Sequence, residues 1–94
     1  MSAAMTGAWT VFSCDISKDE MAVFKKALDG LVGVDYTPVA VSSQVVSGIN
    51  YDFFCNAKEV YPTAVNEAAI VSIYAPATGD PKLMRIKPIL HKLE

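Results

Sequence analysis

Nucleophilic chemistry in this chain would have to start from Cys14 or Cys55, with His91 as the single imidazole in the sequence. A thiolate nucleophile needs a base within hydrogen-bond reach. Both cysteines fall in runs that read as packed strands, whereas His91 lies close to the C-terminus, so no such pair is expected. Asp52, Glu59, Glu67 and Asp80 have no spacing that sets two carboxylates on one face as an acid–base pair, and Asp52 is expected to point to solvent from a strand. No CxxC, no Cys/His cluster at zinc spacing and no Gly-rich phosphate loop occurs. The chain is therefore not expected to be an enzyme, and no metal or cofactor is expected. Two strand thiols forty-odd positions apart could be a disulfide or two free core residues, and the second is the expectation.

The residues better suited to function are those of a tight reversal, Gln44-Val45-Val46-Ser47-Gly48, followed by Ile49-Asn50-Tyr51. Upstream, Val39, Val41, Ser43 and Val45 alternate; downstream, Ile49, Tyr51, Phe53 and Cys55 do the same. Both runs have the period of a strand. Ser47-Gly48 between them marks the turn, and Gly48 can adopt the positive φ that a tight hairpin requires. Hairpin tips are usually polar, yet this one carries two valines and a glycine that lets another backbone approach. Such a tip is either a buried corner or an apolar wedge for a partner's groove.

Ninety-four residues make one domain, 1–94, large enough to bury roughly 65% of its unfolded surface. With 52% hydrophobic and 19% charged residues the composition is that of a globular chain rather than a disordered one. A net charge of −2, with scattered basic residues, leaves no footprint for nucleic acid. No run of eighteen apolar residues is present to span a membrane. Residues 1–7 are small and polar and are expected to form a flexible N-terminal trunk. They lack the features of a signal peptide, which favours a cytoplasmic protein unless a signal has been removed. Leu93-Glu94 has the look of a tag scar.

The elements that must hold the reversal in place follow in order. Trp9 to Cys14 is rich in β-formers and reads as a first strand. Ser17-Lys18-Asp19-Glu20 is a capping box, with Ile16 and Met21 as a hydrophobic staple. Met21, Phe24, Leu28 and Leu31 then recur at helical steps, with Val23 and Ala27 widening the stripe. This predicts a helix of about four turns that Gly30 or Gly33 ends. The hairpin is entered through Tyr36-Thr37-Pro38, and its second strand runs to about Ala57. Lys58 to Glu67 is a polar connection. Ala68 to Tyr74 is a nearly continuous apolar run, as for a central strand. Ala75 to Pro81 is a second reversal, Leu83 to Lys87 a last strand, and Pro88 onward a tail. One helix beside a block of consecutive strands predicts an α+β fold, with the helix packed across a four- to five-stranded antiparallel sheet.

The string Gln44-Val45-Val46-Ser47-Gly48 resembles the QxVxG motif of the cystatins, protein inhibitors of papain-like cysteine proteases. Its glutamine, valine and glycine fall on Gln44, Val46 and Gly48. The context from Val39 to Tyr51 is similar to the second strand, first hairpin and third-strand start of a stefin-type member. The resemblance implies a cystatin-like single domain without disulfides. It also implies that the trunk and two hairpins form a wedge plugging a protease active-site cleft by reversible, noncovalent occlusion. It assigns Gly7 to the trunk edge, although a glycine there also reads as a simple flexible joint. The second loop would be Pro76, Ala77 and Thr78. That loop departs from the Pro-Trp pair of secreted cystatins, as it does in stefin-type members. The implied partner is a papain-like cysteine protease, and Gly48→Glu or Val46→Asp is expected to abolish inhibition without unfolding the chain. The competing expectation is a binding or self-assembly module of the same fold, as a monomer or a dimer made by hairpin exchange.

Overall fold

The computed structural model describes residues 7–89, so His91 and the terminal Leu93-Glu94 lie outside the described residues, as does the trunk before Gly7. The described elements are α1 (Lys18–Ala27), β1 (Val34–Val46), β2 (Gly48–Glu59), β3 (Glu67–Ala75) and β4 (Lys82–Ile89). The four strands form one antiparallel sheet in the order β1-β2-β3-β4, a meander in which every strand pairs with its neighbour in sequence. One helix lies on one face, which is the expected α+β arrangement.

The helix begins where its capping box says it should. Ser17 Oγ accepts from the Glu20 amide at 3.0 Å, and Glu20 Oε1 accepts from the Ser17 amide at 2.9 Å. Asp19 and Glu20 lie in the first turn and Lys25 and Lys26 in the last, each favourable to the helix dipole. The helix is shorter than the stripe predicts. It ends at Ala27 with Leu28 as cap, the Leu31 amide bonds back to the Leu28 carbonyl, and Gly30 sits at φ 87°. Leu31 is half-exposed and lies beyond the helix.

The core is a single cluster between helix and sheet: Phe24 from α1, Val41 from β1, Phe53 and Cys55 from β2, Val71 and Ile73 from β3. Phe24 meets Phe53 edge-on, with ring centroids 5.0 Å apart, a favoured aromatic geometry. Ile16 and Met21, the expected staple, both pack against this cluster. A register shift between Pro38 and Ala40 leaves Val39 as an extra residue. Side chains before and after it reach the core with opposite parity: Tyr36 before the bulge and Val41 after it. Pro38 sits at the irregularity, where the missing amide does least harm.

Trp9 to Cys14 does not form the continuous strand predicted. It runs antiparallel along the outer edge of β1 and pairs with it in isolated bridges, Trp9 to Gln44 and Ser13 to Val41, instead of a continuous ladder. The Thr10 amide also donates to the Ser43 carbonyl at 2.9 Å. Val11 is 85% exposed, so the segment buries too little apolar surface on its free side to behave as a full strand. Cys14 is exposed rather than packed, while Cys55 is buried, and both are free thiols. The opposite edge, β4, runs to Ile89 and includes Pro88, expected as tail; a second register shift, between Ser72 and Ile73, leaves Met84 unpaired. Lys82, Arg85 and Lys87 on this edge are exposed.

Candidate functional site: one end of the sheet

The first hairpin is as tight as its sequence suggests. Val46 pairs with Gly48, so Ser47 alone connects a 13-residue strand to a 12-residue one. Gly48 sits at φ 121°, where side chains are rarely tolerated. A Cβ there would meet the Ala75 carbonyl oxygen at 2.7 Å and the Tyr74 hydroxyl at 2.8 Å. The glycine is thus needed twice, for its dihedral and for close approach to the end of β3. This overturns the expectation that Gly48→Glu leaves the fold intact, because a side chain at 48 would push the two hairpins apart.

The side chains around the turn lock it from both sides. Asn50 Nδ2 donates to Gln44 Oε1 at 2.8 Å, and Gln44 Nε2 donates to the Gly7 carbonyl at 3.0 Å. The Gly7 amide donates in turn to the Val45 carbonyl at 3.3 Å. From the third strand, the Tyr74 hydroxyl donates to the Ser47 carbonyl. Gly7, Gln44 to Gly48 and the start of the second reversal are therefore held at one end of the sheet by direct bonds.

Of the residues singled out in the sequence, Gly7, Ser47, Ala77 and Thr78 are exposed, and Val45 is 56% exposed. Gln44, Val46, Gly48 and Pro76 are half-buried. The tip is neither a buried corner nor a loose loop; it is a stiffened apolar prominence. None of these residues is ionisable, so the end offers shape and apolar area rather than acid–base or ligand chemistry. β-branched Val45 and Val46 lose little rotamer freedom on contact.

Two participants were not signalled by the sequence motif, Tyr74 and Trp9. Asn50 and Gln44 lie three residues either side of Ser47, so a tight hairpin puts them opposite each other, and that signal was present. Tyr74 reaches Ser47 only through the register of β3 on β2. Trp9, the single tryptophan, pairs beside Gln44 at the sheet edge and is 44% exposed.

On the face away from the helix, Ser42, Asp52, Ser72 and Arg85 align across the four strands. Asp52 does not simply face solvent: its Oδ1 accepts from Ser72 Oγ at 2.6 Å. Comparison with known proteins returns no match to this chain, whether among family models, curated proteins or solved structures.

Proposed function

We propose that this end of the sheet is a wedge that inhibits papain-like cysteine proteases reversibly and without a covalent bond. The observation that carries the reading is the convergence of Gly7, the Gln44 to Gly48 tip and the Tyr74-Ala75 strand end, bonded into one preordered edge. A slim apolar edge of that kind can enter a narrow cleft at low ordering cost. Occlusion requires no reactive group in the inhibitor, which suits a tip with none.

Titration of papain and a cathepsin-type protease against a fluorogenic peptide tests this. Stoichiometric or nanomolar inhibition is expected. Val45→Asp and Val46→Asp place a charge at the apolar tip without touching Gly48, and each is expected to weaken inhibition by roughly 100-fold or more, within the range of a lost central anchor. Inhibition that survives both substitutions, or none by the unmodified chain at tens of micromolar, refutes the wedge.

The single-residue connection at Ser47 favours a second reading, self-assembly. Extending the chain at Ser47 would let β1 pair with β2 of a second copy using the same register. Light scattering on the eluted protein separates the readings: a stable dimer that leaves proteases untouched supports assembly, and a monomer that inhibits refutes it.

A further inference from the structure

At the opposite end of the sheet, on the helix side, no residue of α1 lines the sheet face. A cavity of about 230 Å³ opens there. Its floor is made small by alanines: Ala69, almost wholly buried, and Ala57, which pairs across the ladder with Glu67. Tyr36 and Tyr61 contribute aromatic lining, and Glu59 and Glu67 contribute carboxylates. Glu59 lies two residues beyond Ala57 on β2 and so shares its face, diagonal to Glu67. The Tyr61 hydroxyl lies close to these acids, and Glu59 above all, with a smaller push from Glu67, raises its pKa.

The lining states what it would hold. Two carboxylates on one face repel unless something positive is placed between them, and none of the described residues lining the cavity is basic. Lys58 and Lys87, the neighbours in sequence, fall on the other face by alternation. No third His, Cys, Asp or Glu joins the two acids into a metal-binding group among the described residues, and a hard dication wants six or more oxygens. Aromatic faces beside carboxylates, over an apolar floor, suit a weakly hydrated organic cation. The volume is below that of pockets for drug-sized ligands. We propose that this cavity binds a small organic cation, a quaternary or protonated amine with a compact apolar body, seated against Tyr36 and Tyr61 and neutralised by Glu59 and Glu67. The site lies away from the Ser47 tip and does not depend on protease inhibition.

Nuclear magnetic resonance titration with choline, against its neutral isostere 3,3-dimethylbutan-1-ol, provides the test. Choline is expected to shift the amides of Ala57, Glu67 and Ala69 saturably, leave those of Gln44 to Gly48 in place, and bind roughly tenfold tighter than the neutral compound. Glu59→Gln and Glu67→Gln, both at exposed positions, are each expected to weaken choline about three- to fivefold, as for a partly solvated charge pair. Ala57→Leu should fill the floor and abolish binding, with a thermal melt confirming that it folds. Equal affinity for the neutral isostere, shifts that map elsewhere, or glutamine variants that bind as well as the original each overturn the proposal.

Discussion

Gly48 joins two requirements at a single Cα, and that makes its cost measurable. Gly30 also has a positive φ, but a Cβ there meets nothing within 4 Å. Gly30→Ala therefore carries dihedral strain alone, about 1 kcal/mol. Gly48→Ala carries the same strain plus the encounter with the Ala75 carbonyl, and is expected to cost about 2–3 kcal/mol. Urea midpoints at constant m-value measure the difference; equal losses at the two glycines would mean that the hairpin tip is not pressed against β3. The tip residues were legible in the sequence because turn chemistry and alternation are local signals. Tyr74 was not, since its bond to Ser47 spans 27 positions and exists only once β2 and β3 are in register.

At the scale of elements, the start of the helix was written in four consecutive residues and its end was not. The capping box satisfies two backbone donors by itself. Ser17→Ala removes one of them and is expected to lower stability by about 1 kcal/mol, read as a reduced urea midpoint; no loss would show that the first turn is held by packing of Ile16 and Met21 alone. The apolar stripe ran on to Leu31, but the chain turned at Leu28 to Gly30, where backbone geometry overrode periodicity. The edge segment from Trp9 to Cys14 misled for the opposite reason. Its β-formers promised a strand, whereas pairing depends on what covers the other face, and nothing among the described residues buries Val11. The cavity was not legible either: no residue of α1 lines the sheet face there, and no local pattern foretells it.

For the molecule as a whole, the core carries a titratable group that ties stability to alkaline pH. Cys55 is fully buried, and burial pushes its thiol from 9.0 up to about 12. Tyr51 is raised as well, by burial first and then by the negative Glu20 and Asp19. The folded state keeps a Cys55 proton that the unfolded chain has lost, so this contribution is complete below about pH 9 and disappears as pH rises toward 12. The unfolding free energy read from urea midpoints is expected to be level from pH 7 to 8.5 and then fall, by at most ~1.4 kcal/mol per pH unit for one group. Cys55→Ala should flatten the decline, leaving a later fall from Tyr51 and Tyr61; a level profile to pH 11 in the unmodified chain would show that the thiol ionises freely.

The outer edge formed by β4 bears on how the protein behaves when crowded. Among the described residues the meander leaves its last strand open, and an open strand can template growth by neighbouring molecules into fibrils. Here Met84 breaks the spacing, Pro88 offers no amide to an incoming chain, and Lys82, Arg85 and Lys87 repel a second copy of the same edge. Stacking through β4 is thus opposed by geometry, by a missing donor and by charge at once, which favours colloidal stability in concentrated solution.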